Sequence, residues 1–193
     1  MDDVIAKVEL PRRRFTIAEY YRMGEAGIFG PEDRVELIEG EIIRMTPIGN
    51  RHAACVARLN RRFSRLVGDR ALLWPQNHVH LLPDTVPQPD IALLRPRADD
   101  YALEAAQPGD ILLLVEVADT SYRYDRHVKL LLYARAGVSE VWIVDLTHDV
   151  VEIYRRPGPR GYASAQRVAR GATVAPAAFT DAVLTVDEIL PPR

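Results

Sequence analysis

Cysteine is almost missing from this chain of 193 residues; Cys55 is the single one. One thiol excludes an intramolecular disulfide framework and a Cys-rich zinc site, and it suits a reducing cytoplasm. Long hydrophobic runs are missing too, with no apolar stretch near the ~20 residues of a membrane span. The chain opens with Asp2 and Asp3 and has no basic-then-apolar leader, so no secretion signal is expected. Neither sign of charge is in excess: 25 Lys and Arg stand against 27 Asp and Glu, a formal net charge of −2. That excludes a generally basic nucleic-acid binder but leaves room for a local basic patch. No Gly-rich phosphate loop, zinc-ligand spacing or nucleophile-elbow serine is present, which removes P-loop enzymes, kinases and common serine hydrolases.

What is present is an ordinary globular composition, 48% hydrophobic and 27% charged. The length suggests one domain over residues 15–193, after a loosely held polar tail at 1–14. Thr16 with Glu19 forms a capping box, so a short helix should run to about Met23 and stop at Gly24. Residues 35–43 look like a hairpin turning at Glu39-Gly40. In residues 51–67, Cys55, Leu59, Phe63 and Leu66 make one apolar helix face, with Arg58, Arg61, Arg62 and Arg65 on the other side. Strands are expected at 71–74, 78–82, 90–94 and 111–117. The last reads Ile-Leu-Leu-Leu-Val-Glu-Val, continuous rather than alternating, as in a strand covered on both faces. Asp125 should cap a helix ending at Gly137. Two further strands at 141–145 and 150–154, one or two edge strands, and a helix capped by Thr185 and Glu188 complete a mixed sheet flanked by helices.

Glu116 is the most informative residue. A carboxylate on the most apolar strand must be paired, metal-bound or protonated, because an unpaired buried charge costs several kcal/mol. Asp90 follows Pro89 at the start of another apolar strand. Two carboxylates on neighbouring strands can converge on Mg²⁺, or on Mn²⁺, a hard cation that takes oxygen ligands and keeps waters. Such an ion activates water and neutralises charge on a phosphodiester. Lys129, in the following helix, could add a positive charge there.

Pro89-Asp90, Glu116-Val117, Tyr124-Asp125-Arg126 and Lys129 together resemble the family of putative restriction endonucleases in the PD-(D/E)XK nuclease superfamily. The stretches 35–41, 132–138 and 141–145, and His52, are similar to it as well. The resemblance covers about residues 15–155. It implies a restriction-endonuclease-like α/β fold and metal-dependent phosphodiester cleavage. It also implies that Asp90 and Glu116 hold the metal, that Lys129 assists the water, and that Glu36 is the upstream acid. The superfamily's Glu-x-Lys would put its lysine at 118, where this chain has Ala118; Lys129 on the next helix would be the displaced residue.

Each residue also has a plainer reading. Glu116 could pair structurally with Arg123, Arg126 or Lys129, and Lys129 could be an exposed helix residue. His52 could be a surface histidine or could reach a phosphate or a bound water. Asp119 and Asp125 could shape the site, Asp125 being first a helix cap. Arg58, Arg62 and Arg65 could form a solvated face or contact phosphates. His78 and His80 share an expected strand face, and Cys55 reads as core. The expectation is a cytoplasmic Mg²⁺- or Mn²⁺-dependent endonuclease acting on DNA, without a membrane partner. By analogy it would be a homodimer, so that both strands of a duplex can be cut. The rivals are a catalytically silent nucleic-acid- or protein-binding module on the same scaffold, and a hydrolase of small phosphate esters.

Overall fold

A computed structural model describes residues 12–30 and 32–192. Most of the expected tail, residues 1–11, lies outside the described residues; Arg14 donates to the Glu39 carbonyl. Helix α1 (Ile17–Glu25) starts at the Thr16–Glu19 capping box and runs through Gly24, two residues past the expected end. Strands β1 (Val35–Ile38) and β2 (Glu41–Arg44) form the expected hairpin. Its turn residues Glu39 and Gly40 both have positive φ, 47° and 77°, as a two-residue hairpin turn of matching twist requires. A Cβ at Gly40 would lie 2.6 Å from Arg14 Cβ, so the position also needs glycine for space.

Helix α2 (Asn50–Val67) turns Cys55, Val56, Leu59, Phe63 and Val67 inward. Six strands then build the main sheet: β3 (Leu72–Pro75), β4 (Ile91–Leu94), β5 (Ile111–Ala118), β6 (Glu140–Asp145), β7 (Val150–Gly158) and β8 (Gly161–Ala169), in that spatial order. Only β5 and β6 are parallel. A parallel pair needs a crossover, supplied here by a helical stretch: α3 (Tyr122–Tyr124), a π-turn (Asp125–Lys129) and α4 (Leu130–Arg135). Strands β9 (Thr173–Val174) and β10 (Leu184–Thr185) pair separately, and α5 (Val186–Ile189) follows its Thr185–Glu188 capping box. Among the described residues no helix is long and apolar enough to cross a membrane.

The continuous apolar run of β5 is explained by its two covers. Leu113, Val115 and Val117 join the core under α2, with Trp142, Val144 and Ile189. Leu114 and Ala118 join the core under α4, with Leu130, Tyr133 and Ile143. Glu116 points to the same side as these last residues by strand alternation.

Two expectations need correction. Residues 78–82 are not a strand. Their backbone bonds go to scattered loop acceptors, Val79 N to Pro87 O (3.1 Å) and His80 N to Ala106 O (2.9 Å), so no ladder forms. Asp125 is not a helix cap. The helical stretch begins three residues earlier, because the Ser121 carbonyl accepts from both Tyr124 N and Asp125 N; Asp125 sits inside the π-turn.

Candidate active site

The register of β4 and β5 decides where the two predicted carboxylates lie. Ile91 is opposite Val115 in an antiparallel pair. Continuing by one residue sets Asp90 opposite Glu116, with both side chains on one face of the sheet. Asp90 is pinned there: its Oδ2 accepts from Val117 N (2.8 Å) and contacts His52 Nε2 (3.0 Å) at the start of α2.

Lys129 reaches the same place from the helical side. Its Nζ lies 2.8 Å from Glu116 Oε1 and 3.4 Å from Glu36 Oε2. Tyr133, four residues on and hence on the same helix face, donates its hydroxyl to Glu116 Oε1. The π-turn between Asp125 and Lys129 closes with Leu130 N bonding to Asp125 O. Such single wide turns insert a residue into a helix and commonly mark functional positions. Lys129 is thus a buried residue, 3% exposed, and not the exposed helix residue of its plainer reading.

Glu36 arrives from β1. Its Oε1 accepts from the Tyr124 hydroxyl (2.8 Å) and its Oε2 from Gln88 N (3.1 Å). Asp125 accepts from Ser121 Oγ (2.6 Å). Glu36, Asp90, Glu116, Asp125, Lys129, His52 and Asp119 all line one cleft of about 320 Å³. The end of the β1–β2 hairpin and the loop after it, including Arg34, Arg44 and Ile48, also line it.

The electrostatics follow from burial. Desolvation pushes the Glu116 carboxyl up to about 8, against the downward pull of Lys129. Burial also raises Asp125. Burial alone would push the Lys129 ammonium down, but Glu116, Tyr133, Glu36 and Asp125 together hold it well above its ordinary value. Three carboxylates, Glu116, Glu36 and Asp125, around one ammonium leave an excess of negative charge that a proton or a cation can relieve.

The donor set fits a divalent cation. Oε1 of Glu116 is engaged by Lys129 and Tyr133, and Oδ2 of Asp90 by Val117 and His52. The second oxygen of each takes no hydrogen bond among the described residues. Among those residues no three His, Cys, Asp or Glu groups are already gathered as ligands. Two carboxylates with the remaining positions left to water is a composition Mg²⁺ accepts.

Other candidates lie elsewhere. Arg58 donates to the Glu188 and Asp187 carbonyls (3.0 and 2.7 Å), and Arg62 pairs with Glu188 (3.1 Å); both hold α5. Arg65 is exposed, and none of the three lines the cleft, so the phosphate-tracking stripe is not part of it. His78 and His80 contact the hydroxyls of Tyr20 and Tyr21 (3.4 and 2.8 Å). Cys55 is core, its thiol pushed up to about 12 by burial. Tyr124, Tyr133, Gln88, Arg34 and Arg44 were not nominated by the sequence. Tyr133 had a signal, its helical spacing from Lys129.

Comparisons with known proteins agree with this architecture. Among solved structures, one described as a putative nuclease belonging to DUF820 from Anabaena variabilis ATCC 29413 superposes with a TM-score of 0.70 at 18% identity. The match covers 91% of this chain and 97% of that one, and shows a shared fold. A search of curated proteins finds no match. The Uma2 family, described as Putative restriction endonuclease, matches residues 17–187, from the first helix to the last and across every cleft residue named above. A six-stranded mixed sheet carrying Asp90 and Glu116 side by side, matched along nearly its whole length, is thus that of a member of the putative restriction endonuclease family.

Proposed function

We propose that the chain is a divalent-metal-dependent nuclease that hydrolyses phosphodiester bonds in DNA, with residues 15–193 as the working unit. The observation that carries this reading is the meeting of Asp90, Glu116 and Lys129 at one cleft floor. Asp90 and Glu116 would hold Mg²⁺ or Mn²⁺, whose chemistry there is to acidify a water and neutralise phosphate charge. His52 and Val117 N fix the Asp90 carboxylate, so it does not have to be ordered when a ligand arrives. Lys129, kept protonated by its acidic neighbours, presents a fixed positive charge toward a phosphate in the cleft. Glu36, itself held by the Tyr124 hydroxyl, faces the ammonium from the hairpin side. Asp119 and Asp125 shape the cleft around it.

The displacement of the lysine from strand to helix is physically sound on this reading. Ala118 is fully buried beneath α4, a position where a lysine would have to displace core. Two copies acting together would cut both strands of a duplex, and the lone buried thiol suits a cytoplasmic setting. A silent binding module is the second reading, favoured by one observation: Lys129 bridges Glu116 and Glu36 as a purely structural lysine would.

The deciding experiment is cleavage of plasmid and linear DNA, and of RNA, by the purified chain with Mg²⁺, Mn²⁺ or chelator. Metal-dependent cleavage of DNA, abolished in Asp90→Ala and Glu116→Ala, is the expected result. A folded chain that cuts neither polymer with either metal, or wild-type rates in both variants, would remove the reading.

A further inference from the structure

The cleft has a cationic wall that the acidic floor does not explain. Arg34 precedes β1, and Arg44 ends β2, where it is opposite Val35. Both therefore sit at the open end of one hairpin and both line the cleft, Arg34 on the strand face that carries Glu36 and Arg44 on the other face, at the rim. Arg34 is half-buried and Arg44 exposed. Neither side chain has a hydrogen bond or an ion pair among the described residues.

Three other arginines of the fold show the contrast, each with an acidic partner. Arg51 pairs with Asp149 (2.6 Å), Arg126 faces Glu152 (3.8 Å), and Arg135 faces Glu39 (3.6 Å). Two guanidiniums without a counter-charge, lining the same cleft as the carboxylates, would attract an anion that spans the cleft. A guanidinium is suited to phosphate because its planar fork of donors matches two phosphate oxygens at once. Between the two arginines and the loop stands an apolar strip, Ile43, Met45, Pro47 and Ile48. Such a surface suits the face of a sugar or base and not a second charge.

We infer that the β1–β2 hairpin is a strand clamp in which Arg34 and Arg44 hold the phosphates flanking the scissile one. The inference rests on the nuclease reading and deepens it, because it names the residues that hold the strand on either side of the scissile phosphate. A small phosphate ester has no flanking phosphate for these residues to hold.

The test separates binding from cleavage. The full-length chain in EDTA is titrated into a short fluorescein-labelled DNA duplex across a KCl series, and binding is read by anisotropy. The double variant Arg34→Gln, Arg44→Gln keeps side-chain length and removes both charges. Its slope of log K against log salt should be shallower than wild type by about 2 × 0.9, with affinity at low salt weakened roughly tenfold or more. The Arg34→Lys, Arg44→Lys pair should restore the slope while regaining only part of the affinity, since an ammonium cannot make the forked contact. Matching thermal unfolding midpoints establish that all three chains are equally folded.

An unchanged slope in the Gln pair, or no salt-dependent binding by the wild type, overturns the clamp. With Mg²⁺ added, a raised KM at near wild-type kcat in the Gln pair supports it. Wild-type cleavage with an unaltered KM in the variants overturns the clamp and leaves the nuclease reading in place. Loss of slope with no cleavage by any form does the reverse.

Discussion

Glu116 and Glu140 are both buried carboxylates on adjacent apolar strands, yet they are held in opposite ways. Glu140 on β6 is saturated. Its Oε1 accepts from Trp142 Nε1 (2.8 Å) and from two nitrogens of Arg155 (3.0 and 2.7 Å), and its Oε2 accepts from Ala177 N (2.6 Å). Glu116 on β5 has both of its partners, Lys129 and Tyr133, crowded on one oxygen, and it lines a cleft. A carboxylate with both oxygens engaged ties elements together. One with an oxygen left over has capacity for something not part of the chain. Burial alone does not separate the two, since Glu140 is 1% exposed and Glu116 3%.

Substitution should break the comparison most sharply at Glu116. Glu116→Gln keeps the shape but removes the charge, and should lower cleavage roughly 10³-fold or more with the fold retained. Supercoiled-plasmid nicking rates, set against the unfolding midpoint, check both halves. Lys129→Met should lower the rate by ~10²–10³. It should also destabilise the chain by about 3–5 kcal/mol, because Glu116 and Glu36 lose their shared counter-charge in a dry site. Near wild-type rate and stability together would return Lys129 to an ordinary helix residue.

Glu140→Gln should do the converse. Loss of the charge-assisted bonds to Arg155 should cost about 2–4 kcal/mol in urea unfolding, with the rate per folded molecule unchanged. An activity defect without a stability defect would erase the distinction drawn here. The smallest effect is on pH. Burial raises the Glu116 carboxyl from 4.5 to about 8 in the folded chain, so the folded state holds a proton there that the unfolded state releases earlier. The stability this contributes is full below about 4.5 and is lost as pH rises through about 8. Metal binding needs that same proton to leave, so metal affinity should climb roughly tenfold per pH unit up to that point and then level. Calorimetric titration with Mg²⁺ between pH 6 and 9 reads the slope; a flat profile would mean that Glu116 is not a ligand.

Much of this was legible in the sequence where local rules act. The capping boxes at Thr16 and Thr185, the α2 periodicity and the double-sided β5 each depend on residues a few positions apart. Glu116 and Asp90 stood out because polar groups on apolar strands need a reason. Glu140 carried the same signal, and only its partners 15 and 37 residues away show that its reason is structural. Residues 78–82 alternate like a strand, but their backbone finds only the isolated bridge of Leu82 to Thr85 and separate bonds to Pro87 and Ala106, not a continuous neighbour strand. The arginine face of α2 could not be interpreted without knowing where α5 lands. Arg34 and Arg44 are unremarkable in sequence and become notable only because the hairpin brings both to the lining of the cleft.

The placement of Lys129 on the helical stretch, not on β5, also bears on the order of assembly. Glu116 and its counter-charge belong to separate segments, and neither can be sealed from water alone without leaving a bare ion behind. Docking of the crossover helix onto the sheet is therefore the event that neutralises the carboxylate, and Tyr133 arrives in the same step. The chain gains a checkpoint: a sheet formed with this helix misplaced keeps a charged, hydrated interior. The same pair of residues that would serve a phosphate thus reports, during folding, that the two layers have met in register.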